Sequence, residues 1–378
     1  MFKTKIYFKF VCIYLFTLHL TGCIAVSVQD MDIDRIDIRF KRSGGERDLF
    51  DTLIPGEIYT VEAQVYADGK SKPIRHPDYT EFDVECNNMQ IVTHKSTKLK
   101  LFANYPSGEW LFDGAYCVRM SIPNNERARG LKSCLPDWAM FNRLNYKGRA
   151  GSSGSVGVSG YKGGQRNGGS GGHGSHGENG PRVSLQASFV YANNGYDLPD
   201  GTDRMILIYS PSERRTYLMS AGVITIDVSG GNGGAGGNGG NGANGDGSTY
   251  RHFNPIDGGN GGNGGDGGDG GDGGTLELTL AAGQNISDCF RANVSGGSGG
   301  AGGNGGNGGN GAVRSYYNSE GKKIGEDRGS RGYKGQPGRS GRHGRNGEFI
   351  IFSSPADSMF NGCSFIADHP EVRDMMKR

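Results

Sequence analysis

Proline is scarce in this chain, 13 residues of 378 against 70 glycines, and a collagen triple helix normally needs far more of it. Net charge is lacking too: 41 basic and 39 acidic residues leave only +2, a balance that implies no nucleic-acid partner. Long apolar runs are missing apart from residues 10–20, which are too few for a stable membrane span. Reactive constellations are also absent. His173, His176, His252 and His343 are scattered through glycine runs or loops, with neither metal-ligand spacing nor a nucleophile–base pair. The sequence therefore predicts no catalytic residue, no cofactor and no metal, and an enzyme is the least supported class.

What the chain has instead is glycine at every third residue. Five stretches carry this period: residues 151–180 (interrupted at 165–167), 230–247, 258–274, 296–311 and 329–347. A period of three belongs neither to an α-helix nor to a strand but to the extended polyproline-II helix, at about 3.1 Å per residue. The four unbroken runs then come out at roughly 50–60 Å each. Flexible linkers have no reason to match in length, whereas rods lying side by side do.

The N-terminus carries Lys3, Lys5 and Lys9, then the apolar stretch, then Leu20-Thr21-Gly22-Cys23. This order predicts a secretory signal peptide. The Leu-Thr-Gly-Cys ending resembles the bacterial lipobox, which implies that Cys23 is lipidated and becomes the first residue of the mature chain. Ile24 follows the cysteine, so the aspartate that retains enteric lipoproteins at the inner membrane is missing. The resemblance implies an outer-membrane address, on the periplasmic face or the cell surface. Five cysteines remain for an oxidising compartment. The preferred disulfides are Cys86–Cys117 and Cys289–Cys363, leaving Cys134 free, with other pairings open.

Residues 23–138 read as a β-sandwich. Tyr59, Val61, Ala63 and Val65 alternate with Thr60, Glu62 and Gln64, the period of a half-buried strand. Asp113–Met120 resembles a late strand of bacterial immunoglobulin-like domains, although the tyrosine is adjacent to Cys117 instead of two residues before it. Such a unit serves by default as a spacer, the alternative being a ligand-binding sandwich. Residues 139–148 read as a linker, 149–353 as the glycine-rich domain and 354–378 as a C-terminal tail.

With three residues per turn, each run has three faces. In 258–274 two faces are bare glycine and the third is Asn260, Asn263, Asp266, Asp269 and Asp272. Bare faces let neighbouring backbones approach, and free N–H and C=O groups can bond to them. Strand-like segments such as 224–228, 275–280 and 348–352 flank the runs. Antiparallel succession puts every strand at one end and the loops 248–257 and 312–328 at the other. The apolar residues of 183–192, 205–209 and 218–228 are the expected nucleus. The fifth run has only one bare face and reads as an edge rod. Its Arg339, Arg342 and Arg345 repeat at the spacing of Asp266, Asp269 and Asp272, about 9 Å.

Glycine runs capped by strands resemble the polyglycine-II bundles of glycine-rich phage tail-fibre adhesins, the N-terminal domain of Obg-type GTPases and the snow-flea antifreeze protein. The resemblance covers residues 148–352 and is one of architecture. It implies a mainly β fold in which an immunoglobulin-like sandwich is followed by an antiparallel polyglycine-II bundle. In the adhesins the tip loops contact a receptor. The matching positions are Tyr250, Arg251, His252 and Phe253 in one loop, and Arg314, Tyr316 and Tyr317 in the other. The implied function is non-enzymatic: a lipid-anchored envelope protein whose rigid bundle binds a surface glycan or envelope protein. The alternatives are a purely structural, self-associating envelope or matrix component, and a carbohydrate-active or calcium-binding surface protein.

Overall fold

The computed structural model describes residues 25–29, 31–42, 52–112, 114–123, 125–161, 166–192, 197–247 and 257–377. The signal-like segment, Cys23 and Tyr250–Phe253 lie outside the described residues. The fold is mainly β, and the chain divides into two compact units. The first comprises residues 1–104 and 115–135, the second residues 105–114 and 136–378.

Among the described residues the first unit contains eight strands: β1 (Ile33–Arg42), β2 (Thr52–Leu53), β3 (Ile58–Ala67), β4 (Asp83–Asn87), β5 (Met89–Lys95), β6 (Lys98–Ala103), β7 (Tyr116–Ile122) and β8 (Asn125–Pro136). They form two four-stranded sheets, ordered β1-β3-β6-β5 and β2-β8-β7-β4. The alternation in β3 buries Tyr59, Val61, Ala63 and Val65. The Tyr79 hydroxyl ties its own turn to β3, donating to the Val61 carbonyl at 2.8 Å and accepting from the Ala63 N–H at 3.0 Å.

The expected disulfides are not formed: all five described cysteines are free thiols. Register explains the first case. Cys86 pairs with Val118 while Cys117 pairs with Asn87, so the two-residue period sends their side chains to opposite faces of the sheet. Burial pushes the Cys86 thiol up to about 11, with nearby Cys117 adding to the effect. Cys289 and Cys363 belong to different layers of the second unit, described next.

The second unit is built from β9 (Arg143–Asn145), β10 (Arg182–Tyr191), β11 (Arg204–Ser210), β12 (Arg215–Ser220), β13 (Ile224–Asp227), β14 (Thr275–Ala281), β15 (Phe290–Asn293), β16 (Val313–Tyr317), β17 (Lys323–Arg328) and β18 (Glu348–Ser354), followed by α1 (Ser364–Asp368) and α2 (Glu371–Met375). One sheet is ordered β15-β13-β9 and is parallel throughout. The other is ordered β12-β11-β10-β14-β18, and its β10, β14 and β18 are also parallel. One apolar cluster takes Leu144, Ile224, Ile226 and Phe290 from the first sheet and Val183, Leu185, Leu276 and Leu278 from the second.

The stretch expected as a linker supplies Phe141 and Leu144 to that cluster. Phe141 stacks on Tyr105 at 5.3 Å. The expected tail is not a tail either, since Met359, Phe360, Phe365, Ile366, Val372 and Met375 are buried. It is held by the Gln186 side chain, which accepts from the Phe360 N–H at 2.6 Å, and by Gln284, which donates to the Met376 carbonyl at 2.9 Å. Cys363 therefore sits over the five-stranded sheet, whereas Cys289 precedes β15 in the other. That separation removes the second expected disulfide.

Candidate functional site: a hydrogen-bonded glycine block and its far end

The glycine segments are continuations of the two sheets. Among the described residues they are six: I (148–160), II (166–180), III (230–245), IV (258–274), V (296–311) and VI (329–347). The interrupted stretch 151–180 is two segments, not one run. β9, β13 and β15 lead into I, III and V, while II, IV and VI lead into β10, β14 and β18. Each triplet of II, III and IV has two donors with fixed destinations, while I keeps only the first and V and VI only the second. The first N–H bonds within a layer to a parallel neighbour: Gly154 to the Ala235 carbonyl, Gly233 to Ser298 and Gly264 to Gln336, each at 2.8 Å. The second bonds across layers to an antiparallel neighbour. These bonds join into a chain through all six segments, Gly338 to Gly303, Gly303 to Gly265, Gly265 to Gly237, Gly237 to Gly172 and Gly172 to Ser155, at 2.7–2.9 Å.

This arrangement explains the glycines. Sheets with ordinary side chains pack about 10 Å apart, too far for backbone bonds between them. Removing the side chains closes that gap. A Cβ at Gly264 would lie 2.5 Å from the carbonyl carbon of Gly303 in the other layer, and one at Gly265 equally close to that of Gly172 in its own layer.

The third N–H of the triplet is satisfied by a side chain, a role the sequence reading missed. Asn232, Asn238, Asn241 and Asn244 of segment III accept from the N–H groups of Ser298, Asn304, Asn307 and Asn310, at 2.8–3.0 Å. In the other layer Asp266, Asp269 and Asp272 accept from the N–H groups of Arg339, Arg342 and Arg345, at 2.7–2.8 Å. His173 and His176 serve through Nδ1, taking the N–H groups of Asp266 and Asp269. The signal for this ladder was the recurrence of Asn and Asp at one position of the triplet. The acceptor role depends on which segment lies alongside. Of the Arg–Asp rows, only Arg345 and Asp272 also pair through their side chains, at 3.0 Å.

Both outer edges depart from two glycines per triplet. In III, IV and V a Cβ at the first position would point at the next segment's backbone. In VI that position holds Arg331, Lys334, Pro337, Ser340, His343 and Asn346. Asn346 turns back and its Oδ1 accepts the Gly296 N–H of segment V at 3.2 Å. In I the second position, which in III points at the preceding segment of its layer, holds Arg149, Ser152, Ser155 and Val158. Side chains thus stand where a further segment would lie at either edge, as charge and proline do on exposed edge strands.

The end away from the strands carries the expected ligand-binding residues of the second loop. Arg314, Tyr316 and Tyr317 lie on β16, which pairs antiparallel with β17. The register shifts between Tyr316 and Tyr317. The Tyr316 hydroxyl donates to the Asp327 carboxylate, which raises its pKa. Lys323 and Arg328 flank Glu326 and hold its carboxyl below the ordinary value. Tyr317 is 60 % exposed, and chain direction brings Tyr161 (62 %) and Tyr333 (81 %) to the same end. Underneath, Asp257 accepts the Ser330 N–H at 2.6 Å, and Arg166 reaches the Asp257 carbonyl. Among the described residues no group of three or more His, Cys, Asp or Glu is placed to hold a metal ion. Comparison with known proteins finds no matching family model, no similar curated protein and no similar solved structure.

Proposed function

We propose that this chain is a non-enzymatic, lipid-anchored envelope protein that presents a rigid glycine block as an adhesive surface. In this reading Cys23 carries the lipid, and the anchor sits in the outer membrane. The first unit is an immunoglobulin-like sandwich, and segments I–VI form a polyglycine-II bundle. The three-residue period of the hydrogen bonds supports the latter assignment. The partner is a surface glycan or an envelope protein.

The observation that carries the reading is the exposure of Tyr317 and Tyr333 at one end of a block held by backbone bonds within and across its layers. Aromatic rings that cost little entropy to immobilise are effective binding anchors. A purely structural component built by lateral packing of copies is less well supported, because side chains occupy both edges. The test replaces Tyr250, Phe253, Tyr316 and Tyr317 together with alanine and measures attachment of cells or protein-coated beads. Lost adhesion at unchanged melting temperature supports the reading. Unchanged adhesion rejects it.

A further inference from the structure

The outer faces of the two glycine layers use the same ladder but differ in charge. On the face of II, IV and VI the third positions include His176, Asp266, Asp269, Arg339 and Arg342. On the face of I, III and V they are only Ala, Ser, Val and Asn. The ladder does not demand this neutrality, since Asp266 accepts a backbone N–H at 2.7 Å just as Asn238 does at 2.8 Å. Using amides instead of carboxylates as the acceptors has a separate consequence. Each Asn of segment III spends its Oδ1 on the neighbouring N–H, which fixes the side chain and leaves its Nδ2 donors free.

That neutral face contains a groove of about 320 Å³ between two rungs of the ladder. Its floor is the glycine backbone at 239–240 and 305–306, and its walls include Asn238, Asn241, Asn304 and Ser159, with Val156 on segment I. The volume falls at the lower end of the range for small-ligand sites, about 300–1,000 Å³. A flat floor without side chains, immobilised amide donors and one apolar contact together match an uncharged sugar ring. Such a ring offers hydroxyl and ether acceptors at its rim and C–H groups on its faces. A polyanion finds no cation on this face, and an apolar ligand would leave the amide donors unpaired.

We propose that this groove binds a sugar unit of an uncharged polysaccharide, independently of the far-end aromatic residues. The test titrates the full chain in detergent with cellohexaose, maltohexaose and chitohexaose, and with polygalacturonate as an anionic control. Binding of at least one neutral oligosaccharide, without binding of polygalacturonate, is expected. Asn238→Asp keeps the acceptor for the Asn304 N–H, and Asn304→Asp changes a side chain that accepts no ladder bond, so the pair removes two donors and adds charge. Affinity should fall by about tenfold or more while the thermal melt is unchanged. Should that pair fail to fold, Val156→Arg, an exposed position without a ladder bond, is expected to give the same loss. Tyr316→Ala with Tyr317→Ala should leave the titration as it was, which separates this site from the adhesive reading. The proposal is overturned if none of the three oligosaccharides binds or polygalacturonate binds equally well. It also fails if the groove variants bind normally, or if affinity disappears only with the tyrosines.

Discussion

Substituting alanine along one triplet of segment IV should give a pattern of two large effects and one small one. Gly264→Ala drives a methyl group against the Gly303 carbonyl, and Gly265→Ala does the same against Gly172. Neither neighbour is a side chain that can swing away. Relief means parting the layers for Gly264 and spreading segments II and IV within their layer for Gly265, at about 1–3 kcal/mol for overpacking. A backbone group also loses its partner, at roughly 1–3 kcal/mol when buried. Against this, replacing glycine stiffens the unfolded chain and returns about 0.4–1 kcal/mol. The balance is a loss of about 2–5 kcal/mol for each glycine. Asp266→Ala instead removes an acceptor for the Arg339 N–H at a half-exposed position. Water can replace it there, and the loss should stay under about 1 kcal/mol. In a unit of this size each kcal/mol moves the melting temperature by about 2–4 °C. The two glycine variants should therefore melt roughly 5–20 °C lower and the aspartate variant within about 4 °C of the parent. Differential scanning calorimetry reads this directly. If Gly264→Ala melts with the parent, the close contact between the layers is not holding the block together.

Two further outcomes follow from the edges and the strand–glycine junction. Replacing Arg331, Lys334, Pro337, Ser340, His343 and Asn346 with glycine should open the outer edge, so that sedimentation shows concentration-dependent association that the parent lacks; a sedimentation profile no different from the parent's would show that the edge is not what limits growth. At the junction, burial by itself would raise the Asp227 pKa. Hydrogen bonds from Ser229 and Asn293, with Arg143 at 3.9 Å, outweigh it and hold the carboxyl below the ordinary value. A depressed folded pKa stabilises above the unfolded value of about 3.9 and stops doing so as pH falls through the folded one. Asp227→Asn should thus be less stable than the parent at pH 7, with the gap narrowing below pH 4; a gap independent of pH would refute the assignment.

Much of the block can be read without coordinates. The period of three, the bare faces and the alternation in Tyr59–Val65 are local properties, set by how many residues complete a turn. The triplets even encode position, since the first position of VI and the second of I, where no neighbouring segment lies, abandon glycine throughout. Arg331 and Val158 mark the two edges in that way. Phe360 in the supposed tail was harder to read. It stands beside Met359 in a segment with no strand or helix period, and only the sheet it covers gives it a role.

Sequence alone determined that the glycine runs are three-sided and extended, because that follows from side-chain absence at fixed intervals. It could not determine their register. Sliding one run by three residues past another keeps every glycine facing a backbone, so the repeats are degenerate. The tertiary structure resolves this through the strands. Arg182 pairs with Thr275 in β10 and β14, and the same offset of 93 residues recurs from Asn167 to Asn260 in segments II and IV. The offset of 66 that joins Ile224 to Phe290 also joins Asn238 to Asn304. Apolar side chains in the sheets fit in one alignment only, and the hydrogen-bonded segments inherit it.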